Sequence, residues 1–366
     1  MPYVEIDLSS VTHNLNAVLA KGYRPEEVFA VIKDDAYGCG AVQVAQTVER
    51  SGVERFAVAR MSEAEELKDG RVHGAILVLG ECTMKELEYA SSSEIRIAIN
   101  SIDSLRNMVT SSLDLIVHIN IDTGMGRLGL QSDEVEEACR IIDRSSNIRI
   151  ESIFSHFSCA DVPGSELVPL QWDRYRKAIS LFRERGVECS FYHMPNSAAS
   201  VNYNKEGEIY SRLGIVLYGC RPDPAVDPEI DLKNVMSLKA PVSIIKKIRA
   251  GDTVSYGANF KAEKATCIAT IAAGYAHGIP RLLSGNMEVL IRGKKYPVVG
   301  NVTMDYIMAD VGLNSGIDAG DEVVIMGSQH SEAITADEIA LKCNTIGYEI
   351  LCSIGRNREK RFVGRA

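Results

Sequence analysis

A lysine at the end of an apolar run invites a chemical reading, because burying an ammonium is costly unless it is paired or gives up its proton. Lys33 closes the run Val28 to Lys33 (VFAVIK). A lysine so placed is a natural Schiff-base nucleophile, although its head group could equally snorkel into water. Directly after it, the run Asp34 to Gly40 (DDAYGCG) puts Tyr37 and Gly38 where a phenol and the N–H groups of an opening helix could hold a phosphate. Other apolar runs also end in polar residues: His156 ends one, Asn196 and Ser197 another, and Arg127 follows a third in the Gly-rich turn Asp122 to Gly129 (DTGMGRLG). A lone histidine such as His156 is more often a satisfied structural residue, and an arginine such as Arg212 also reads as half of an ion pair on a strand.

These residues must be held by elements, and the chain alternates short β-branched runs with longer amphipathic ones, the pattern of parallel β-α units. The runs are Val28 to Lys33, Arg55 to Arg60, Ala75 to Gly80, Ile95 to Asn100, Asp114 to Asp122, Arg149 to Phe157, Glu188 to Asn196 and Arg212 to Gly219. Between them, stretches such as Asp133 to Ser145 and Leu167 to Gly186 read as crossover helices. Eight units fit an α/β fold with a closed (β/α)8 barrel of the TIM type better than a doubly wound sheet, and barrels gather catalytic groups at the C-terminal strand ends. Lys33, Arg127, His156, Asn196 and Ser197 are therefore expected on one rim. From about Asp231 the character changes to extended runs with Gly-Asp turns and little helix: Ala240 to Ile248, Thr266 to Ala273, Met287 to Val299, Tyr306 to Val311 and Glu322 to Met326. The expected division is a barrel over 1–230 and a mostly antiparallel β domain over 231–366, with hairpins at Ala250-Gly251-Asp252 and Ala319-Gly320-Asp321.

Composition narrows the function. The chain has 366 residues, 46% hydrophobic and 24% charged, and no stretch approaches the roughly 18 continuous apolar residues of a membrane span. Its first ten residues (MPYVEIDLSS) lack the basic and then apolar layout of a secretory signal, so a cytoplasmic location is expected. The nine cysteines form no C-x-x-C pair, which gives no sign of a metal site or a disulfide framework. A net charge of −9 disfavours nucleic acid as a partner.

The run Ala30 to Gly40 (AVIKDDAYGCG) resembles the pyridoxal-phosphate (PLP) attachment signature of the alanine racemase family, fold-type III enzymes with a barrel followed by a β domain. Further segments fall in family order: Val4 to Leu15 (VEIDLSSVTHNL), Asp122 to Gly129, Ser155 to Asp161 (SHFSCAD), Asn196 to Ala199 (NSAA), Arg212 to Gly219, Val254 to Ala258 (VSYGA), Gly274 to Gly278 (GYAHG) and Asn301 to Asp305 (NVTMD). The resemblance covers nearly the whole chain.

It implies that Lys33 carries the cofactor and then acts as base on one face of the substrate Cα. Tyr256 from a partner subunit would serve the other face. A phenol ordinarily titrates near pH 10, so it needs a coupled group, and His156 matches the family histidine near that tyrosine. Arg212 would hydrogen-bond the pyridine nitrogen; a guanidinium holds its protons, so the ring stays a weaker electron sink and reprotonation at Cα wins over transamination. Tyr37, Ser197, Gly214 and Ile215 match phosphate ligands, and Asn196 joins the cofactor set. Arg127 and Met304 match groups that bind the substrate carboxylate, Met304 from the partner. The resemblance thus implies a homodimer with shared sites, acting on a small amino acid and supplying D-alanine.

Two departures bear on this. Asn120 stands where the family often has a carbamylated lysine that positions the arginine; its amide could reach Arg127, with an anion such as chloride supplying the missing charge. At the C-terminus (CSIGRNREKR, Cys352 to Arg361) a family tyrosine is replaced, with Arg356 and Asn357 at the nearest register. That change suits serine or a broader range of amino acids as alternative substrates. His277 also departs from a family aspartate. A decarboxylase on the same fold draws on a cysteine and phosphate loop not seen in this sequence. A non-catalytic PLP carrier would lack the β domain.

Overall fold

Among the strands of this computed structural model, which describes residues 1–203, 205, 207–356 and 358–364, the densest apolar runs sit where both faces are covered. The chain opens with β1 (Tyr3–Asp7) and then builds β2 (Val28–Val31), β3 (Arg55–Val58), β4 (Ala75–Val78), β5 (Arg96–Ile99), β6 (Leu115–Asn120), β7 (Ile148–Phe154), β8 (Phe191–His193) and β9 (Ile209–Leu213). Strands β2 to β9 pair in parallel in sequence order, and β9 returns to β2 to close an eight-stranded barrel. Parallel strands buried on both faces read as continuous hydrophobic runs, and β2 is buried at all four positions. Helices such as Val135–Asp143 and Leu167–Glu184 lie between strands as expected.

The eighth barrel strand lies earlier than the sequence places it. β9 spans Ile209–Leu213, whereas Ile215–Tyr218 forms a 3-10 turn whose Tyr218 hydroxyl donates to Val31 O at 2.7 Å. A four-residue apolar run has no periodicity to separate a strand from a buried turn. Arg212 therefore sits near the C-terminal end of its strand, at the chemical rim of the barrel, and not at its start.

The second sheet is built on β10 (Met236–Ile248), followed by β11 (Thr253–Val254), β12 (Phe260–Lys261), β13 (Thr266–Ile271), β14 (Glu288–Ile291), β15 (Lys294–Pro297), β16 (Ile307–Asp310), β17 (Glu322–Gln329), β18 (Glu332–Ile334) and β19 (Lys360–Val363). Its order is β15-β14-β17-β10-β1-β19, with β13 also on β10 and β16 on β13; the pairings are antiparallel except β1 with β19. The N-terminal strand thus belongs to the second sheet. Met287 to Val299 is not one strand but the hairpin β14–β15, turning through Arg292 and Gly293, both at positive φ. The turn at Ala250 to Asp252 leads into the small hairpin β11–β12. Ala319 to Asp321 pairs onto β10 through Gly320 and Asp321. Helices Ala336–Lys342 and Gly347–Gly355 also lie in this region, where the extended runs of the sequence predict little helix. Side chains of β1, β10 and the barrel share one buried apolar cluster. No helix of the described residues is long and apolar enough to cross a membrane.

Candidate active site

A cavity of about 320 Å³ opens at the C-terminal ends of the barrel strands, and Lys33, Tyr37, Asn120, Arg127, His156, Asn196, Ser197, Arg212, Gly214 and Ile215 all line it. They come from five strand ends, which is how a barrel brings residues distant in sequence into contact. Among the described residues no group of histidine, cysteine and carboxylate side chains is arranged to hold a metal.

Tyr37 reaches the cavity by an unusual path. The residues after Lys33 do not open an ordinary helix: Asp34, Asp35, Ala36 and Tyr37 have φ of 52°, 55°, 53° and 56°, a left-handed turn, and the regular helix starts only at Ala41. Left-handed backbone costs L-residues roughly 1–2 kcal/mol each. The surroundings offset this. Glu63 accepts from Asp34 N at 2.8 Å, the Asp35 carboxylate accepts from Ala41 N at 2.8 Å and pairs with Lys360 at 2.7 Å, and Gly40 N donates to Asp35 O at 2.9 Å. Gly38 packs so closely on the C-terminal helix that a Cβ there would lie 2.8 Å from Gly355 Cα. The turn sets the buried Tyr37 ring with its centroid 6.0 Å from Lys33 Nζ. Burial raises the pKa of the Tyr37 phenol, so it stays protonated and can donate.

Arg212 is buried, and four of its five N–H groups have partners within the chain. Nη1 donates to His193 Nδ1 at 2.7 Å and His193 O at 3.1 Å; Nη2 donates to Ser155 O at 2.6 Å and His156 Nδ1 at 2.9 Å, with Met194 O at 3.2 Å. Burial pushes its pKa down to about 10, with the Arg127 charge adding to the fall, so it remains a cation at neutral pH. Nε makes no hydrogen bond to the described residues, in a side chain that lines the cavity. One free, permanently protonated donor fits an aromatic nitrogen acceptor. Burial, with Arg212, Arg127 and Lys33 nearby, lowers the His156 pKa well below the usual range and keeps the ring neutral.

At the other end of the cavity, Gly214 leaves room that a side chain would fill, since a Cβ there would stand 2.7 Å from the Tyr37 hydroxyl. Ser197 Oγ accepts from Gly214 N at 2.9 Å, and Asn196 caps its own short helix by accepting from Ala199 N at 3.0 Å. Two hydroxyls and a side-chain-free backbone turn make a cradle suited to a phosphate. The residues present therefore fit pyridoxal phosphate: an amine, a donor for a ring nitrogen and a phosphate cradle.

Arg127 sits on the turn that Asp122 holds by accepting from the N–H groups of Gly124, Met125 and Gly126. Its guanidinium makes no hydrogen bond or ion pair with the described residues, which leaves it available to an incoming carboxylate. Asn120 does not reach it; the Asn120 amide donates to Asn100 Oδ1 at 2.8 Å.

Two expected residues lie elsewhere. Tyr256 is 75% exposed and Met304 54% exposed, both in the second domain, and neither lines the cavity. His277 lies beside them and accepts from Gly274 N through Nδ1 at 3.1 Å. Arg356 is exposed and does not line the cavity, and Asn357 lies outside the described residues. Sequence reasoning missed Tyr348, which lines the cavity with its ring 6.0 Å from that of Tyr37, and His193, which holds Arg212. Polar residues inside the apolar strands carrying His118 and His193 were the available signal.

Comparison with known proteins agrees with this geometry. The family described as "Alanine racemase, N-terminal domain" matches residues 6–222, and "Alanine racemase, C-terminal domain" matches residues 235–362. The alanine racemase of Halothermothrix orenii is 35% identical over 99% of this chain and 97% of its own length, and alanine racemase 2 of Bacillus subtilis is 35% identical over 99% and 94%. Among solved structures, alanine racemase from D-cycloserine-producing Streptomyces lavendulae superposes with a TM-score of 0.92 at 31% identity, covering 100% of this chain and 97% of that one. The Bacillus anthracis alanine racemase with bound L-Ala-P does so with a TM-score of 0.89 at 31% identity, covering 99% and 95%. The chain belongs to the alanine racemase family of pyridoxal-phosphate-dependent enzymes.

Proposed function

We propose that this chain interconverts L- and D-alanine by a two-base mechanism in a cytoplasmic homodimer, and that it supplies D-alanine for biosynthesis. The observation that carries this reading is the cavity that unites Lys33, Arg212 and the Tyr37–Gly214 cradle. Residues 1–230, apart from β1 in the second sheet, act as the cofactor-binding barrel, and 231–366 as the domain that completes the partner's site.

Bound pyridoxal phosphate supplies an electron sink that acidifies the substrate Cα–H. The protein does the rest. Tyr37, Ser197, Gly214 and Ile215 hold the phosphate, Asn196 fixes the helix start that carries Ser197, and Lys33 anchors the cofactor. Arg127, free of internal partners, binds the substrate carboxylate together with Met304 of the partner subunit. Lys33 Nζ then takes or gives a proton on one face of Cα, and Tyr256 of the partner subunit serves the other. Arg212 Nε–H would donate to the ring nitrogen of the bound cofactor without surrendering its proton, which would moderate the sink and favour return of the proton to Cα.

His156 has a defined part in this. Its Nδ1 accepts from Arg212, which can only donate, so the neutral ring carries its hydrogen on Nε2. That N–H presents a donor to the partner's phenol oxygen and stabilises it when deprotonated, so the histidine acts by donating and not by taking the phenol's proton. A second reading, serine as substrate, draws on Arg356, which is exposed and does not narrow the cavity.

The test is incubation of the holoenzyme with L-alanine and separately with L-serine in deuterium oxide, following the D-enantiomer and loss of the Cα proton. Inversion of alanine faster than serine is expected. Comparable serine inversion would favour the broader reading, and no inversion of either would overturn the racemase assignment.

A further inference from the structure

Below Arg212 the barrel interior contains a chain of hydrogen bonds that the reaction as described does not use. Arg212 Nη1 meets His193 Nδ1 at 2.7 Å, His193 Nε2 meets His118 Nδ1 at 2.9 Å, and His118 Nε2 meets the Glu151 carboxylate at 2.9 Å. Arg96 closes the chain with two bonds to Glu151, at 3.1 and 3.2 Å. Arg212 is the second-last residue of β9 and Arg96 the first of β5, so the chain runs from the chemical rim toward the opposite end of the barrel. His118 and His193 are both fully buried.

The chemistry of its ends gives this chain one direction. A guanidinium only donates, so His193 Nδ1 must accept and its hydrogen must sit on Nε2. A carboxylate only accepts, so the His118 hydrogen must also sit on Nε2, which leaves His118 Nδ1 to accept from His193. Both ends demand the same pair of tautomers. Burial pushes both imidazoles down and keeps them neutral. Burial raises the Glu151 carboxyl, but hydrogen bonds and charge from His118 and Arg96 outweigh it and hold the group at about 2. The His193 ring is sandwiched, 4.7 Å from Phe154 with 5° between planes and 4.6 Å from Phe29. The two rings fix its plane, and the hydrogen bonds fix which nitrogen meets Arg212.

We propose that Glu151, acting through His118 and His193, is a positioning residue for the racemisation: its carboxylate sets the two tautomers that hold Arg212 Nη1, and so keeps Arg212 Nε–H toward the cofactor's ring nitrogen. Among the described residues Arg212 touches no carboxylate, and Glu151 is the anion to which its hydrogen-bond chain leads. In the other tautomer His193 would point N–H against N–H at Arg212, and the guanidinium would turn away. The proposal rests on the reading that Arg212 faces the cofactor.

The experiment is 15N NMR of histidine-labelled holoenzyme, paired with kinetics and the absorption of the bound cofactor. In the unmodified enzyme His193 and His118 should each be protonated at Nε2 alone; a proton on either Nδ1 overturns the proposal without any variant. In Glu151→Gln one amide hydrogen must face a donor of His118 or Arg96. The tautomers should become mixed, the cofactor band should shift, and kcat should fall about ten-fold while KM stays within about two-fold. Glu151→Asp keeps a carboxylate and should restore the single tautomers and most of the turnover. Unchanged kcat and absorption in Glu151→Gln would make Glu151 a core-filling group only. Arg212→Gln separates the two readings. An unchanged cofactor spectrum there would remove the contact on which the proposal rests, whereas an altered spectrum there with none in Glu151→Gln would overturn the positioning role alone.

Discussion

His156 and His193 each turn a bare Nδ1 toward the Arg212 guanidinium, and both rings are held neutral by burial next to positive charge. The sign of the resulting pH dependence follows from their lowered pKa values. Unfolded histidine titrates near 6.5, so below that pH the unfolded chain binds protons that the folded chain refuses, and stability is lost as pH falls. His193 alone should remove about 1.4 kcal/mol between pH 8 and pH 5.5, and His118 and His156 act in the same sense. Urea unfolding of the apoprotein at the two pH values checks this; equal stabilities would mean that the buried rings take up protons in the fold. At this scale the sequence was most informative where a residue broke its local pattern. Lys33 follows an apolar strand and Arg127 sits in a Gly-rich turn, and both line the cavity. Tyr348 left no such mark, because a tyrosine in an amphipathic helix looks the same whether its ring meets core or cofactor.

Glu63 supports the left-handed turn that swings Tyr37 back beside Lys33. It accepts from Asp34 N and Ala59 N at 2.8 Å each and from Arg60 N at 3.1 Å, at a largely buried position. Glu63→Ala leaves three backbone donors to find other partners, and should lower unfolding free energy by about 2–4 kcal/mol. Because one of those donors opens the strained turn, the variant should also release pyridoxal phosphate faster during dialysis, read by loss of cofactor absorbance. A stability loss with unaltered cofactor retention would mean the turn is held by Asp35, Lys360 and Gly38 without Glu63. The barrel strands themselves were legible because burial on both faces leaves uninterrupted runs of Val, Ile, Leu and Ala. The turn after Lys33 was not, since Asp visits positive φ only as an isolated residue and Ala and Tyr rarely do, so four in a row are imposed by contacts distant in sequence. For the same reason β1 was missed: its partners β10 and β19 lie more than two hundred residues away.

At the scale of the whole molecule, the residues proposed for the site fall in two places. The loop of Tyr256 is pinned to the run containing Met304, with Asn301 Nδ2 donating to Tyr256 O at 2.7 Å and Ser255 Oγ donating to Asn301 O at 2.8 Å. Tyr275 and Ala276 bond back to Thr303 and Met304, and Leu282 and Tyr306 stand exposed on neighbouring loops. Several exposed large apolar side chains on mutually bonded loops mark a surface that is ordinarily covered. A two-fold dimer would cover it with its own copy and carry each Tyr256 into the other subunit's cavity. Mixing subunits tests this without reference to any structure. Lys33→Ala and Tyr256→Phe should each be nearly inactive alone. After dissociation and reassembly at equal amounts, half of the dimers are mixed, and each has one site with a native lysine from one subunit and a native tyrosine from the other. Recovery of about a quarter of the native turnover is expected. If both residues served a site within one subunit, every site in every mixture would carry a lesion, and no activity would return.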